Sequence, residues 1–506
     1  MRGLALLVLC ACVMSCGRRA PHAPKQAEPA ASSTTSPTPS GPLGPAPLDA
    51  ELSRVVGARA RYVADPVFGG RVYLLEVNGR RGDATGEEAA DAAPPLVLVH
   101  GLGDAGARDF YPILAGLAEG RRVIAFDLPG FARSNGGGAP PYEPKRYADV
   151  LAHVIDAYAG GRADVLGHSM GGAIALEHSA RHARQVRKLV LIDAAGILYR
   201  DAFIQNQIDA SVAPLRTAAP GNLPAPVHAL TRGVAGTVAG AGHALFSVAR
   251  PWSPRPEAVN TLEPAPPIQA ALGLVEHNFA PALGSSRAPT LVLWGQKDTI
   301  APLRVAELLE SRLANARLVV LDDVAHVPMR EATDRTLLEV LAHLNEGDGP
   351  RPASPPSSSA PLSSSIPSTD DAAPRDVRCS HQANFRLSGS YGEIVLDHCS
   401  RAVLRNVVAR RLVLEHSSVE GVHVRVTEGV VADESVVRLT GGSLSGPISL
   451  DTDGSTFDLA GVELLGQRAV HVRGNSSFLV SACSLGRGAG ARHLHGRFGL
   501  KPNESL

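Results

Sequence analysis

The sequence predicts an α/β domain with a doubly wound, mostly parallel sheet and a helical cap, followed by an all-β parallel β-helix, or solenoid. Between residues 96 and 321, short continuous apolar runs alternate with longer mixed segments. That alternation is typical of strands buried on both faces by helices. After residue 377 the strands become shorter, their apolar residues alternate, and similar segments recur at a fixed interval. Such recurrence indicates a repeat architecture.

Six apolar runs supply the strands of the predicted sheet. They are Leu96–His100, Val123–Phe126, Asp164–Leu166, Leu189–Ile192, Thr290–Trp294 and Leu318–Leu321. The segments between them are long enough for crossover helices, so parallel strands follow.

The third run leads directly into the most informative motif of the chain. The apolar strand that begins at Asp164 leads into Gly-His-Ser-Met-Gly at residues 167–171, and residues 173 to 183 continue as a helix-forming segment. A turn this tight leaves no room for side chains at positions 167 and 171, and it lifts the hydroxyl of Ser169 clear of the sheet. The segment is therefore predicted to be a nucleophile elbow with Ser169 as the nucleophile.

A nucleophilic serine needs a base and an acid, which in this architecture follow it in the order Asp or Glu, then His. Asp298 follows the run that ends at Trp294, and His326 follows the last run. Asp193 also ends a strand and is an alternative acid. The order of the chain is satisfied by either carboxylate.

Taken together, these motifs resemble the α/β-hydrolase superfamily from about residue 60 to 346. The motifs are His100-Gly-Leu-Gly103, Asp127-Leu-Pro-Gly-Phe-Ala-Arg-Ser134, Gly167-His-Ser-Met-Gly-Gly172, Trp294-Gly-Gln-Lys-Asp298 and Ala325-His326. The resemblance implies that Ser169 is the nucleophile, His326 the general base and Asp298 the carboxylate that orients it. It also implies an oxyanion hole formed by the backbone N–H groups of Leu102 and Met170.

The same resemblance makes Asp127 a structural carboxylate and His168 a packing residue. The resemblance implies a serine hydrolase that cleaves a carboxylic ester or lipid through an acyl-enzyme, with no cofactor and no metal. Carbon–carbon bond hydrolysis of diketones and a perhydrolase reaction would use the same residues, so both stay open.

Between residues 198 and 288 the alternation stops, and alanine and proline dominate. An insert of that length is predicted to fold as a mostly helical cap over the site. Its aromatic residues are more simply the core of the cap; they are Phe203, Phe246, Trp252 and Phe279.

The charge balance argues against nucleic acid as a partner. The chain has 49 basic and 49 acidic residues among its 506. No net positive charge therefore attracts a polyanion.

The N-terminus has the composition of an export signal. Arg2 precedes the apolar run Leu4–Val13, which is too short to span a bilayer. Val13-Met-Ser-Cys16 resembles the lipobox of bacterial lipoproteins, in which the cysteine is lipidated after cleavage; Cys10 fits the pattern less well. We therefore expect a lipoprotein of the outer membrane or periplasm, with plain secretion as the alternative.

Composition divides the chain into five segments. Residues 1–16 are the predicted signal and 17–50 a tether rich in Pro, Ser and Ala, and residues 51–346 are the hydrolase. Residues 347–376 form a second such segment that links to the β-helix at 377–500. Because the linker has no apolar pattern, we expect the hydrolase and the β-helix to fold independently.

The repeat of the C-terminal region is read from apolar segments that begin at residues 394, 412, 430 and 448, with another at 470. The alignment stacks four carboxylates about 4.8 Å apart, from Asp397, Glu415, Asp433 and Asp451. Like charges at that distance repel, so a cation or an arginine is expected nearby; the alternatives are a calcium site or carboxylates screened by solvent.

This region resembles the right-handed β-helices of pectate-lyase-like proteins, and a left-handed hexapeptide helix is the alternative. The resemblance implies a role in glycan binding. The competing hypothesis is therefore a surface lipoprotein that binds a glycan or another partner through this region, with the hydrolase domain serving only as a scaffold.

Three cysteines lie outside the signal. Cys379 and Cys399 either form a disulfide in an oxidising compartment or are buried free thiols. Cys483 lies in an apolar column and is predicted to be core.

Overall fold

The computed structural model describes residues 43–78, 93–134, 141–203, 266–347, 374–486 and 490–505. The predicted signal, Cys16, most of the tether, nearly all of the linker and the middle of the predicted cap lie outside these ranges. No helix within them is long and apolar enough to cross a membrane.

A nine-stranded sheet forms the first half of the chain. Its strands are β1 Gly44–Pro45, β2 Ala58–Ala64, β3 Arg71–Asn78, β4 Ala93–Val99, β5 Arg121–Phe126, β6 Ala163–His168, β7 Val186–Ile192, β8 Thr290–Gly295 and β9 Ala316–Leu321. The spatial order is β1-β2-β3-β5-β4-β6-β7-β8-β9. From β5 to β9 all neighbours pair in parallel, whereas the pairs from β1 to β5 are antiparallel. The predicted doubly wound sheet is confirmed.

Eight described helices accompany the sheet. They are α1 Tyr111–Leu117, α2 Pro144–Tyr158, α3 Met170–Arg181, α4 Pro266–Glu276, α5 Ala280–Ser285, α6 Leu303–Arg312, α7 Pro328–Glu331 and α8 Thr333–Asn345. Short 3₁₀ turns cover Leu52–Arg54, Gly106–Phe110 and Ala183–Gln185.

Strand β4 shows why its sequence reads as a continuous apolar run. Successive side chains of a strand point to opposite faces. Val97 and Val99 belong to the apolar cluster that includes residues of α2, α3 and α6, and Leu96 and Leu98 belong to the cluster that includes residues of α1 and α8. Both faces are therefore buried.

The N-terminal edge of the sheet corrects one predicted boundary. Residues 43–50, assigned to the tether, include β1, and Gly44 pairs with Tyr62. Asp49 in the same stretch accepts hydrogen bonds from Arg108 (3.0 Å) and from the hydroxyl of Tyr111 (2.6 Å). Two residues of β1 and one well-bonded carboxylate are too few to show as a pattern in a proline-rich sequence.

The C-terminal region is rich in β-strands. They are β10 Val377–Ser380, β11 Arg386–Asp397, β12 Ala402–Glu415, β13 Ser418–Val426, β14 Val430–Asp433, β15 Val436–Leu444, β16 Ile448–Asp453, β17 Thr456–Ala460, β18 Glu463–Leu464, β19 Arg468–Val472, β20 Ser476–Leu485 and β21 Arg492–Leu500. Every pairing among β10 to β20 is parallel, and β21 closes the region antiparallel to β20. An apolar cluster separate from those of the first sheet fills the interior.

The register of these strands corrects the predicted carboxylate column. Asp397, Glu415 and Asp433 are paired in succession as expected, but the residue opposite Asp433 is Asp453, and Asp451 lies two positions earlier. The expected arginine is present: Arg473 contacts Asp433, and its Nε lies 3.0 Å from Asp451 Oδ1.

The cysteines of this region differ in state. Cys379 and Cys399 form a disulfide across 20 residues of sequence. Cys483 is a buried free thiol, as predicted, and burial raises its pKa to about 12.

Candidate active site

Ser169 lies between the end of β6 and the start of α3, with a φ of 53°. This left-handed conformation is rare for a residue with a side chain and marks a sharply turned backbone. A Cβ at Gly167 would overlap the carbonyl of Gly171, and one at Gly171 would overlap the carbonyl of Val99. The two glycines of the motif are therefore required by backbone packing alone.

Three side chains predicted from the sequence come together at this turn. His326 Nε2 lies 3.0 Å from Ser169 Oγ, and His326 Nδ1 lies 2.7 Å from Asp298 Oδ2. An ionised carboxylate only accepts hydrogen bonds, so Nδ1 carries the proton and Nε2 is free to accept the proton of the serine. The other oxygen of Asp298 accepts the backbone N–H groups of Ile300 (2.8 Å) and Ala301 (3.0 Å).

The alternative acid, Asp193, lies close by but is used differently. It is fully buried, has a φ of 45°, and accepts the backbone N–H of Gly295 at 2.8 Å. Burial, and then the charge of Asp298, raise the pKa of Asp193 well above its usual range. The structure brings Asp298, and not Asp193, into hydrogen-bond contact with the base.

The loop after β4 approaches the serine from the other side. His100 Nε2 accepts the backbone N–H of Leu128 at 2.8 Å, which leaves Nδ1 to donate to the carbonyl of Gly101 at 2.7 Å. A Cβ at Gly101 would lie 3.0 Å from the Cβ of Ser169. This backbone contact places the loop, and Leu102 within it, beside the nucleophile.

Met170 follows Ser169 as the first residue of α3. The first N–H groups of a helix have no partner within the helix, and the helix dipole makes that end positive. This is the position at which an oxyanion would be stabilised.

His168 has a role that its predicted packing function did not cover. Its Nε2 lies 2.8 Å from the carbonyl oxygen of His326, and because a carbonyl only accepts, Nε2 donates. Its Nδ1 lies 3.8 Å from Asp109 Oδ2, and the same oxygen accepts the backbone N–H of Gly101 at 3.4 Å. Although burial alone would raise the pKa of Asp109, His168 lowers it below its ordinary value. His168 thus links the elbow to the main chain of the base.

Asp127 is structural, as predicted. Its carboxylate accepts the backbone N–H of Ala107 at 2.8 Å and the Nε of Arg133 at 2.7 Å. These bonds fix the loop that follows β4.

His168, Asp193 and His326 also form one group of possible metal ligands, with donor atoms within 4.8 Å of one another. Both ring nitrogens of His326 are already engaged by Asp298 and Ser169. A cation held here would compete with the contact between the serine and its base.

The predicted cap is described only at its two ends. Phe279 is fully buried in the same cluster as Trp294, and Phe203 is half-buried. Phe246 and Trp252 lie outside the described residues.

Comparison with known proteins identifies the family of the first half of the chain. A sequence model of the alpha/beta hydrolase fold matches residues 94–332. A 2-hydroxymuconate semialdehyde hydrolase of a Pseudomonas species is 31% identical over 280 residues, which cover 53% of this chain and 92% of that protein. The chain therefore belongs to the α/β-hydrolase family. Within it, the protein is a hydrolase enzyme with esterase, lipase and carbon–carbon hydrolase relatives.

Two further relatives represent the esterase side of the family. Lipase 1 of Psychrobacter immobilis is 28% identical over 263 residues, covering 48% of this chain and 75% of that protein. A pimeloyl-acyl-carrier-protein methyl ester esterase of Neisseria meningitidis is 30% identical over 247 residues, covering 47% of this chain and 88% of that protein.

Proposed function

We propose that the protein hydrolyses a carboxylic ester through an acyl-enzyme on Ser169, with His326 as base and Asp298 as the acid that orients it. The observation that carries this proposal is the continuous contact from Asp298 Oδ2 to His326 Nδ1 (2.7 Å) and from His326 Nε2 to Ser169 Oγ (3.0 Å). The base is thus within hydrogen-bond reach of the nucleophile on one side and of the orienting group on the other.

The reaction follows from the positions of the protons. Ser169 Oγ attacks the carbonyl carbon while its proton moves to His326 Nε2, and the carboxylate of Asp298 stabilises the resulting imidazolium. The carbon–oxygen bond then breaks, and the alcohol leaves with that proton. Water next transfers a proton to His326 and attacks the acyl-enzyme, which releases the carboxylic acid and restores the serine.

The negative oxygen formed in both steps would accept hydrogen bonds from the backbone N–H groups of Leu102 and Met170. The close approach of Gly101 to Ser169 and the location of Met170 at the start of α3 support this assignment. The hydrogen bond from His168 to the carbonyl of His326 would hold the base against the serine while charge develops.

Carbon–carbon bond hydrolysis is the second candidate, because the 2-hydroxymuconate semialdehyde hydrolase relative aligns over 92% of its length. The two reactions are separated by substrate. Short-chain aryl esters should be turned over with burst kinetics of acylation, whereas a carbon–carbon hydrolase would prefer a diketone by its kcat/KM.

Labelling with a fluorophosphonate, followed by peptide mass spectrometry, tests whether Ser169 is the activated serine. We expect one adduct on Ser169, and a loss of roughly 10⁶-fold in kcat for Ser169→Ala and for His326→Ala, because either change disables the attack as a whole. Ser179→Ala is a matched control, since Ser179 is a buried serine of helix α3, which follows Ser169, and its hydroxyl bonds Ser286 instead. An adduct on another serine, or near-native turnover by Ser169→Ala, would contradict the mechanism.

We further propose that the C-terminal region is a parallel β-helix. The support is that its parallel strand pairs join segments 17 to 21 residues apart in sequence, for example Ile394 with Leu412 and Leu412 with Val430. A chain that returns beside itself after so few residues, always in the same direction, winds as a coil. Glycan binding by this region stays a prediction.

Finally, we propose export and lipidation at Cys16. The disulfide between Cys379 and Cys399 supports export, since disulfides persist in oxidising compartments. Cys16→Ser should release the protein from membranes or block its processing, whereas Cys10→Ser should not. Unchanged membrane fractionation of Cys16→Ser, with no lipid on the native N-terminus by mass spectrometry, would contradict the proposal.

A further inference from the structure

One face of helix α6 lies against the C-terminal strands, and a buried arginine is at the centre of the contact. Arg304 is only 9% exposed. Its guanidinium donates to the hydroxyl of Thr440 (2.8 Å), to the carboxylate of Asp458 (2.6 Å), and to the backbone carbonyls of Leu439 (3.2 Å) and Asp458 (3.1 Å). A buried guanidinium is tolerated only when its donors are satisfied in this way. The partners all come from β15 and β17.

Further ion pairs surround this arginine, and the charges are complementary in both directions. Arg312, at the end of α6, contacts Glu463 at 3.0 Å. In the opposite sense, Glu307 of α6 accepts from Arg405 of β12 at 2.9 Å. Positive and negative groups are thus contributed by each side, which favours one relative orientation.

Apolar packing accompanies the charges. Ala460 and Ala482, although they belong to the C-terminal strands, lie in the same buried cluster as Leu308 and Leu309 of α6. A Cβ at Gly461 would lie 3.0 Å from Leu308 Cγ. Small residues on the strands therefore let the helix approach closely, as at the core of a stable interface.

A second patch of contacts is formed by residues 199–201, which follow β7, and by helix α5, which precedes β8. The backbone N–H of Tyr199 donates to Ser481 Oγ at 3.0 Å, and the ring of Tyr199 packs edge-on to His495 at 5.1 Å. Arg497 lies 3.4 Å from Asp201. Helix α5 contacts both β20 and β21.

The docked helix also leads back to the active site. Asp298 accepts the N–H groups of Ile300 and Ala301, and the indole N–H of Trp294 donates to the carbonyl of Ala301 at 2.8 Å. Helix α6 begins two residues later, at Leu303. Helix α6 is therefore joined directly to the loop that holds the acid.

We propose that residues 374–505 are a docked, permanent part of the catalytic unit and not a separately displayed module. The partner of the α6 surface is the chain's own C-terminal region. Docking holds the acid-bearing loop, residues 199–201 and helix α5 in place. The inference concerns this surface and does not depend on which bond the enzyme cleaves.

The test is to insert a specific protease site between residues 348 and 373, cut the folded protein, and follow the two pieces by size-exclusion chromatography. We expect them to elute together at micromolar concentration. Separation of the wild-type pieces after cutting would overturn the proposal.

Variants then identify the surface. Arg304→Ala should raise the Kd of the cut complex by about 100-fold, because it removes the buried guanidinium from the partly buried carboxylate of Asp458. Arg317→Ala is the matched control, since Arg317 pairs with Glu339 inside the hydrolase half, and its Kd should be that of the wild type. An unchanged Kd in Arg304→Ala would overturn the assigned surface.

A charge exchange distinguishes docking from general loss of folding. Arg312→Glu and Glu463→Arg should each weaken the complex, and the double variant should recover much of the loss while circular dichroism of each piece stays native. No recovery in the double variant would contradict the pairing. The chromatography measures association of the two pieces and needs no substrate. If the pieces stay together but no ester is hydrolysed, only the proposed function is contradicted.

Discussion

At the residue scale, two buried carboxylates near one histidine are distinguished by their hydrogen bonds. Asp298 accepts from the imidazole of His326 and from two backbone N–H groups. Asp193 accepts only the N–H of Gly295, and its second oxygen has no hydrogen-bond partner in the described part of the chain. Hydrogen bonds to a carboxylate favour its ionised form, and burial without them favours the neutral acid. Asp298 is therefore bonded as the orienting carboxylate, whereas burial favours the neutral acid at Asp193.

We predict that Asp193→Asn keeps near-native kcat, whereas Asp298→Asn loses about 10⁴-fold, because the latter leaves the base in the wrong tautomer. The raised pKa of Asp193 lies above the unfolded value of about 3.9, so wild-type stability falls as pH rises from about 4 towards the folded pKa. Asp193→Asn should lack this fall. Urea unfolding at pH 5 and pH 8, together with kcat, checks both points.

Loss of activity in Asp193→Asn with full activity in Asp298→Asn would move the acid to position 193. A shared loss would mean that both carboxylates act on the base.

The convergence of three residues at the site is predictable from the sequence, because each of them follows a strand and the family resemblance implies the order of those strands. Parallel strands end at the same edge, so Ser169, Asp298 and His326 were expected to converge. The contact of His168 with the carbonyl of His326 was not predictable. It joins residues 158 apart in the sequence through a main-chain atom, and a main-chain carbonyl leaves no signal in side-chain type.

At the element scale, the C-terminal strands show how a repeat can be misaligned. Val426 and Val430 are separated by four residues, but their counterparts Leu444 and Leu450 are separated by six. The turn after Leu444 is therefore two residues longer. Because the inward and outward alternation of a strand has a period of two, a shift of two preserves the pattern, and Asp451 took the place of Asp453 in the predicted column.

We predict that Arg473→Ala destabilises the C-terminal region, since it removes the cation from among Asp433, Asp451 and Asp453. These groups are partly exposed, so the loss in free energy of unfolding should be about 1 kcal/mol and should shrink in high salt. Thermal melting at low and high NaCl measures it. Arg425→Ala, which removes an exposed arginine of β13, should have no such effect; an equal loss in both variants, or one independent of salt, would contradict the explanation.

At the scale of the whole molecule, helix α8 ends at Asn345, close to the change in composition near residue 347. The surface between the halves was not visible in the sequence. Arg304 and Asp458 are 154 residues apart and resemble the other solvated charges of the chain. The linker has no apolar pattern, and the contact does not need one, because the buried face is provided by α6 and the strands themselves.

The last prediction concerns the pH dependence of docking. Burial alone would raise the pKa of Asp458, but Arg304 and Arg438 lower it below its ordinary value. The ordinary pKa of an aspartate is about 3.9, and Arg438 contacts Asp458 from within the C-terminal strands, so docking adds only the lowering due to Arg304. The resulting stabilisation is present above the undocked pKa and is lost as pH falls towards the docked pKa. The cut complex should therefore be tight at pH 7 and should weaken below about pH 4.

Other ionisable groups also lie in the contact between the two halves of the chain; they are Glu463, Glu307, His423 and His495. Asp458→Asn is therefore needed to isolate the effect of one carboxylate. That variant should bind more weakly at pH 7 and show a smaller change in Kd between pH 7 and pH 3.5. Fluorescence anisotropy of one labelled piece provides Kd across this range, wherever circular dichroism shows both pieces folded. A wild-type Kd that stays constant, or that tightens as pH falls, would mean that the charged form of Asp458 does not hold the two halves together.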